Sequence, residues 1–338
     1  MPMVSVLMPC YNASRTINEA LESINRQTLS DIEIIAVDDG SDDNTLEILN
    51  NWTDREDRLK IISNQHSGIV DALNTGLTAC ESKYVARMDS DDRSHPDRLQ
   101  QQAEYLDSHL EIGVVSCKVK GFPQTHVRRG FELYMNWLNE LQTNEQIRRE
   151  IFIESPLPHP SVTFRRDQII KAGGYLDNGW AEDYDLWLRL YLSGAGFAKI
   201  PQYLLEWREH PSRLTRTDSR YSLENFLRAK AYYLACGPLQ GRDGVIIWGA
   251  GMIGRRLSKH LVRAGMPLCA FVDIDMKKIG KMLRGIPIID CDSLPEWLRR
   301  YQNPVVISAV GARDARGHIR KYLNDLGLIE GVNWWCAA

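Results

Sequence analysis

From Val4 to Arg87 the sequence repeats one pattern, a short apolar run followed by a polar cluster and a stretch with helical periodicity. The run Ile32-Glu33-Ile34-Ile35-Ala36-Val37 constrains the fold most, because it is apolar at all but one position. A half-exposed strand alternates apolar and polar residues, whereas a parallel strand covered on both faces is nearly all apolar. Val4 to Met8 reads as an earlier strand of the same kind. Thr16-x-x-Glu19 predicts a capping box opening an amphipathic helix with Ile17, Leu21 and Ile24 on one face. A helix through Leu46, Leu49 and Trp52, a strand over Leu59 to Ser63, a helix over Ile69 to Cys80 and a strand ending at Tyr84-Val85-Ala86 continue the series. This βαβαβαβ alternation predicts an α/β fold built on a mostly parallel, doubly wound sheet.

Ligands of such sheets bind beyond the carboxyl ends of the strands. Three polar clusters fall at that edge: Pro9-Cys10-Tyr11-Asn12, Asp38-Asp39-Gly40-Ser41 and Asp89-Ser90-Asp91-Asp92. No Gly-rich phosphate loop follows the first strand, which disfavours an ordinary dinucleotide site there. In an extended or turning backbone Asp89 and Asp91 project to the same side, and two carboxylates so placed repel unless a cation or a set of donors sits between them. A hard divalent ion, Mn²⁺ or Mg²⁺, meets that need. The competing reading is a solvated acidic loop capping a helix that opens near His95-Pro96, with Pro at the first helical position. The turn glycine and distal Glu of a calcium loop are missing. For Asp38 and Asp39 the structural reading is capping of the helix before Leu46, which accounts for one carboxylate and leaves the other to accept from a base or ribose.

With 338 residues the chain has room for two ordinary domains, and 43% hydrophobic with 25% charged residues is a globular composition. A net charge of −3 argues against nucleic-acid binding by bulk charge and leaves room only for a local basic face. No apolar run approaches the ~20 residues of a membrane helix. Val4 to Met8 is too short for a signal-peptide core and lacks a basic flank. The seven cysteines, at 10, 80, 117, 236, 269, 291 and 336, are scattered without a Cys-x-x-Cys pair, as expected of reduced thiols in a cytoplasmic protein.

Six words in order, from residue 4 to about 212, resemble a family 2 glycosyltransferase of the GT-A fold. They are Val-Ser-Val-Leu-Met-Pro-Cys-Tyr-Asn at 4–12, Val-Asp-Asp-Gly-Ser-Asp-Asp at 37–43, Arg-Met-Asp-Ser-Asp-Asp at 87–92, Gly173-Gly174-Tyr175, Ala181-Glu182-Asp183-Tyr184-Asp185-Leu186-Trp187, and Trp207-Arg208-Glu209-His210-Pro211-Ser212. The resemblance implies an inverting, metal-dependent transferase that moves a sugar from a UDP-hexose or UDP-N-acetylhexosamine to a hydroxyl of a glycan or lipid-linked acceptor in bacterial surface polysaccharide synthesis. Such an enzyme works in the cytoplasm or peripherally at the inner face of the membrane. It further implies that Pro9 and Tyr11 line the nucleotide pocket and that Asp39, or its neighbour Asp38, accepts from uracil N3-H. Asp89 then reaches the ribose or the metal's outer shell, Asp91 binds Mn²⁺ or Mg²⁺ directly, and Asp92 holds the loop. Arg208 lies over the diphosphate, and His210 joins the metal shell or contacts phosphate. Asp183 is the implied general base, with Glu182 or Asp185 left to cap the helix they open. His159 reads as structural, and Trp180 as either a sugar-stacking ring or core.

The boundaries read from the sequence are a GT-A domain over 1–215, a helical linker over 216–241 and a Rossmann-like domain over 242–338. Between Phe131 and Glu154 one partly amphipathic helix is predicted, whose aromatic residues either rest on a membrane surface or are buried. In the last segment Val245 to Trp248 is a strand, Gly249-x-Gly251-x-x-Gly254 opens a helix, and Asp273 ends the next strand 22 residues beyond Gly251. Strand, glycine turn, helix, strand and acid are the context of a second nucleotide site at Gly249, Gly251, Gly254 and Asp273. The segment resembles the nucleotide-binding-type modules found ahead of some sugar acyltransferases. Docking, including homo-oligomer formation, is the other role such a module can play. Two alternative classes remain: an oxidoreductase or sensor run by this domain, which the ordered acidic words of the first half oppose, and a sugar nucleotidyltransferase, whose Gly-rich basic loop is absent.

Overall fold

The computed structural model describes residues 2–338. Contacts divide the chain into two compact units. The first holds the chain up to Arg148 with Pro156–Asn178 and Glu182–Thr217; the second holds Arg149–Ser155, Gly179–Ala181 and Asp218–Ala338.

In the first unit the strands are β1 (Val4–Cys10), β2 (Ile32–Asp38), β3 (Leu59–Ser63), β4 (Tyr84–Arg87), β5 (Arg93–Ser94), β6 (Ile112–Phe122), β7 (Thr163–Arg165) and β8 (Gly196–Arg208). The helices met in order are α1 (Ile17–Asn25), α2 (Thr45–Thr53), α3 (Ile69–Ala79), α4 (Arg98–Ser108), α5 (Arg129–Glu140), α6 (Asn144–Glu150), α7 (Arg166–Lys171), α8 (Glu182–Leu192) and α9 (Leu214–Thr217). Among the described residues the sheet runs β3-β2-β1-β4-β7-β6-β8-β5. Strands β3, β2, β1 and β4 are parallel, as the alternation predicts. Every residue of β1 and β2 is buried, because both faces are covered. On one face Val4, Val6 and Met8 join Ile17, Leu21 and Ile24 of α1 and Leu99 and Leu106 of α4 in a single core. On the other face α3 lies so close that a Cβ at Gly76 would come within 2.2 Å of Leu7 Cδ1.

The sheet continues through antiparallel β7 and then the long parallel pair β6 and β8. The two-residue β5 pairs antiparallel with β8, Arg93 opposite Glu206. That short pairing folds the segment after β4 back onto the end of β8, bringing residues 89–92 to Arg208.

Several local expectations fail for identifiable reasons. Thr16 precedes α1 but makes no side-chain cap; its Oγ1 donates to Ala13 O at 3.3 Å, and Glu19 is drawn away by Arg93 and Arg208. Helix α4 starts at Arg98, so Pro96 lies ahead of the helix instead of at its first position. The single helix predicted over 131–154 is two, broken after Glu140. Its aromatics Phe131, Tyr134 and Trp137 pack against the core, Phe131 with its ring 5.0 Å from Trp207. All three are partly buried there, which fits the packing alternative.

The second unit contains α10 (Leu223–Cys236), β9 (Gly244–Trp248), α11 (Met252–Arg263), β10 (Leu268–Val272), β11 (Met282–Leu283), β12 (Ile286–Ile289), α12 (Leu294–Arg299), β13 (Pro304–Ser308), α13 (Arg313–Asp325) and β14 (Trp334–Cys336). Its sheet order is β11-β12-β10-β9-β13-β14, parallel except for β11. Trp180 belongs to this unit, buried and packed against Tyr232 at 5.7 Å and Tyr233 at 6.4 Å, which is a packing role. Among the described residues no helix is long and apolar enough to cross a membrane.

Candidate active site

The carboxyl ends of β1, β2, β3 and β4 carry the polar clusters picked out in the sequence. The loop after β1 is fastened to the loop after β2. Asn12 N donates to Ser41 Oγ at 2.9 Å, Asp42 N to Asn12 Oδ1 at 2.9 Å, Ala13 N to Thr45 Oγ1 at 2.7 Å and Ser14 N to Asp43 Oδ2 at 3.1 Å. Asn12 has φ +50°, a left-handed conformation that Asn tolerates. Asp43 serves the start of α2, accepting from Thr45 N at 3.0 Å. Although burial works against its charge, hydrogen bonds from Ser14 and Thr45 hold Asp43 down to about 2.

Neither Asp38 nor Asp39 caps α2, contrary to the sequence reading. Asp38 accepts from Ser41 Oγ at 2.6 Å and Ser41 N at 3.3 Å, closing its own turn. Asp39 reaches across to the loop after β3, accepting from Ser67 N and Gly68 N, each at 2.9 Å. His66 Nδ1 lies 2.9 Å from Asp39 Oδ2, and the His66 ring stacks on Tyr11 with centroids 4.2 Å apart. Gly40 makes this approach feasible: φ is +69°, and a Cβ there would sit 2.7 Å from His66 N. Tyr11 remains 45% exposed and offers a ring face at this edge, while Pro9 is buried in β1. His66 was not singled out from the sequence, since no local spacing links it to residue 11 or 39.

At the end of β4 the three carboxylates separate into different environments. Asp89 accepts from Arg87 Nη2 at 2.6 Å. Asp91 Oδ2 lies 2.8 Å from His210 Nε2, and His210 Nδ1 contacts Ser212 Oγ at 2.9 Å. Asp92 is buried; its Oδ1 accepts from Arg208 N at 2.7 Å, and its Oδ2 has no partner. Burial first, and then the charges of Asp91 and Asp89, push the Asp92 carboxyl well above the usual range. Oxygens of all three acids lie within 4.8 Å of one another. A buried carboxylate oxygen left unpaired inside such a cluster fits a hard divalent cation, which would supply the missing partner.

Arg208 is tied down on several sides. Its Nε donates to Asp91 O at 2.5 Å, its Nη2 pairs with Glu19, and its guanidinium lies 4.4 Å from the centre of the Phe122 ring. Arg93 stacks on Phe122 at 4.6 Å and pairs with Glu19 at 2.7 Å. Burial acts against the charge of Glu19, yet the two arginines hold its carboxyl below the ordinary value.

Two arginines lie beneath the acidic loop, both without solvent access in practice. Arg98 donates from Nη2 to Arg87 O at 2.5 Å, and burial drives its guanidinium down to about 10. Arg87 donates to Met88 O and Asp89 and has no partner for Nε. The positive charge of Arg87 also acts on Tyr175, Glu182 and Asp183. His159, 2.9 Å from Tyr175 OH and 3.9 Å from Glu182, is pushed well below its ordinary value by burial and then by Arg87. It is a neutral buried histidine, in keeping with a structural role.

Asp183 stands in the first turn of α8, partly reached by solvent, and its Oδ1 accepts from Tyr184 N at 2.7 Å. Burial, followed by the charge of Glu182, raises its carboxyl to about 8. Asp185 has a bracing role: it accepts from Asn178 Nδ2 at 3.0 Å and Arg189 Nε at 2.7 Å. Arg189 in turn holds Ala172 O and Gly174 O. Asn74 clamps the next residue, Tyr175, from both its N and its O at 2.9 Å, and Gly174 with φ +67° leaves room for that clamp. A cleft of about 540 Å³ opens beside it, lined by Asn64, Ser67, Asp71 and Asn74.

In the second unit Gly249 has φ +115°, and Gly254 lies against it so tightly that a Cβ would fall 1.8 Å from Gly249 O. Gly251 faces open space. Asp273 points back to the turn: Oδ2 accepts from Ala250 N at 2.9 Å and pairs with Lys278 at 3.0 Å, and Oδ1 accepts from Asp275 N at 2.9 Å.

Residues 5–174 match the model of the family described as glycosyl transferase family 2. The amylovoran biosynthesis glycosyltransferase AmsE of Erwinia amylovora is 33% identical over 209 residues, covering 61% of this chain and 76% of its own. A UDP-Gal:alpha-D-GlcNAc-diphosphoundecaprenol beta-1,3-galactosyltransferase of Escherichia coli is 28% identical over 249 residues, covering 72% of this chain and 88% of its own. Among solved structures, S. aureus TarS 1-349 in complex with UDP-GlcNAc superposes with a TM-score of 0.57 at 22% identity, over 70% of this chain and 68% of that one.

Proposed function

The chain belongs to glycosyl transferase family 2, and we propose that it moves a hexose or N-acetylhexosamine from a UDP donor, with inversion, to a hydroxyl of a lipid-linked glycan for a bacterial surface polysaccharide. Its first unit has the GT-A fold. The names of the relatives support the donor and acceptor class, since one works in amylovoran biosynthesis and another carries UDP-Gal and a diphosphoundecaprenol acceptor in its name.

One observation carries the mechanism: the buried Arg87 bears on two sets of carboxylates, donating to Asp89 at 2.6 Å and acting on Asp183. Asp89, Asp91 and Asp92 lie close enough together to share a cation, while Asp183, raised to about 8 by burial and the charge of Glu182, is suited to take a proton near neutral pH. Asp91, with Asp92 and His210 beside it, would hold Mn²⁺ or Mg²⁺, and Asp89, turned to Arg87, would belong to its outer shell. When bound, the ion supplies charge neutralisation of the departing diphosphate. Arg208 adds a fixed positive charge on the same side. Tyr11 offers its ring to the base. With Asp38 closing its own turn and Asp39 drawing His66 and the 66–68 backbone into place, these two acids shape the nucleotide edge as much as they touch it. Asp183 takes the acceptor hydroxyl proton as the oxygen attacks the anomeric carbon from the face opposite the leaving diphosphate. The C1–O bond to the diphosphate breaks as the new glycosidic bond forms, and the configuration inverts.

The test is a donor screen scoring release of the nucleoside diphosphate by slow hydrolysis, with Mn²⁺ and with a chelator. Release from a UDP-sugar that stops on chelation is expected. Release from another nucleotide class overturns the uridine assignment, and release unchanged by chelation overturns the metal.

A further inference from the structure

The second unit carries a charge pattern that the transfer reaction does not use. Between Met252 and Arg284 there are eight Lys and Arg against two acids, in a protein whose net charge is −3. Both acids are already engaged: Lys278 lies 3.0 Å from Asp273 and 3.7 Å from Asp275. Of the other cations, Lys259 lies 4.0 Å from Glu224 of α10, while Arg255, Arg256, Arg263, Lys277, Lys281 and Arg284 are exposed. On α11, Arg255, Arg256, Lys259 and Arg263 recur at helical spacing with Met252, forming one stripe opposite the buried Leu257 and Leu261. Arg284 Nη1 donates to Ser258 Oγ at 3.2 Å, which lays the β11–β12 turn along the same helix. The Asp273 carboxylate holds Ala250 N and so ties the end of β10 to the turn that begins α11.

Four apolar side chains stand in solvent on these same segments: Met252 at 60%, Ile274 at 78%, Met276 at 81% and Met282 at 62% exposure. Apolar side chains this bare, set among Lys277, Lys281 and Arg284, have no partner of their own in the fold. Cations draw a protein to an anionic lipid surface, and interspersed apolar side chains enter the boundary between headgroup and acyl chain. Nucleic acid is the other polyanion such charge could meet. Single strands are held by stacking on aromatic rings, and Phe271, the one aromatic residue between 252 and 284, is fully buried.

We propose that this rim of α11, the β10–β11 segment and the β11–β12 turn docks the protein peripherally on an anionic lipid bilayer, the cations giving attraction and Ile274, Met276 and Met282 giving insertion. The surface uses none of the residues assigned to the transfer reaction and does not depend on which sugar is transferred.

Co-sedimentation of the full chain with vesicles tests this, comparing phosphatidylcholine alone with phosphatidylcholine containing about a third phosphatidylglycerol. Binding to the anionic vesicles is expected to exceed binding to neutral ones by about tenfold or more and to fall with added salt. The triple variant K277E/K281E/R284E is expected to lose at least about tenfold of that binding while donor hydrolysis stays unchanged, which also certifies its fold. I274N/M276N is expected to leave the salt dependence in place and weaken the remaining salt-resistant binding. Equal sedimentation with both vesicle types, or none with either, overturns the proposal. Displacement from anionic vesicles by a short single-stranded oligonucleotide but not by free UDP overturns it in favour of a nucleic-acid surface.

Discussion

Arg87 Nη2 donates to Asp89 Oδ1 at 2.6 Å from a side chain that is only 2% exposed, and the same charge acts on Asp183. One immobile cation therefore bears on both halves of the proposed reaction. An isolated buried guanidinium with an unpaired Nε is costly, and carboxylates on either side offset that cost.

Asp183→Asn removes the proposed proton acceptor but keeps the shape of the first turn of α8. Turnover with the true acceptor should fall by about 10² to 10⁴, with donor affinity nearly unchanged. Wild-type turnover would remove Asp183 from the mechanism.

Because Asp183 is raised from 3.8 to about 8, its base form is scarce at low pH and grows as pH rises through that value. The pH profile of kcat/KM should therefore climb towards an alkaline plateau. Arg87 favours the ionised form of Asp183, so Arg87→Gln should move the midpoint further up. A midpoint that stays put, or moves down, would show that the charge does not couple the two sites.

Asp92 makes a prediction about stability that is independent of turnover. Its folded carboxyl is raised, so its contribution to stability is fully present below the ordinary carboxylate value and is lost as pH rises. Metal-free protein should lose Tm as pH rises from about 4 towards neutrality, and Mn²⁺ should restore it, by about 2.7 kcal/mol at a hundredfold excess over Kd. Asp92→Asn should raise the Tm of the metal-free protein at neutral pH and blunt the response to Mn²⁺. Scanning calorimetry with and without Mn²⁺ checks both, and an undiminished Mn²⁺ response in the variant would place the ion elsewhere.

Tyr11 rests on His66 with one face left to solvent. A base stacked on an aromatic ring is worth about 1–3 kcal/mol, so Tyr11→Ala should raise the donor KM by about tenfold or more with little change in kcat. Unchanged KM would mean that the base sits elsewhere.

The glycines of the second unit should behave oppositely. A Cβ at Gly254 would fall 1.8 Å from a backbone carbonyl that cannot swing aside, and Gly254→Ala should cost about 2–4 kcal/mol. Gly251 has φ −83° and nothing within 4 Å, so Gly251→Ala should change stability by less than about 0.5 kcal/mol. Chemical denaturation of the two variants decides it; equal losses would mean that the turn is packed differently.

The four parallel strands of the first unit with the helices between them, and the strand, glycine turn, helix and strand that open the second sheet, were legible because they rest on periodicity, whereas β5 to β8 were not read; the acidic words were legible because they stand at strand ends. What the sequence hid depends on residues meeting across long separations. Glu19 reads as part of a capping box with Thr16, yet Arg93 and Arg208, 74 and 189 residues further on, compete for it and win. Asp38 and Asp39 read as caps of α2, but Asp43 is nearer and takes that work, freeing Asp39 to organise the loop at 66–68. Arg87 and Arg98 look like ordinary surface charges in a polar stretch. Only the sheet's closure over them, with β7 pairing to β4, turns them into a buried support for the loop above.

The four hydrogen bonds between the loops after β1 and β2 have a consequence for recognition. Two segments that would otherwise wander independently are locked into one rigid lip, so seating a nucleotide against it requires little further loss of chain entropy. The ordering was completed when the protein folded. Affinity on this side can then come from a modest number of contacts.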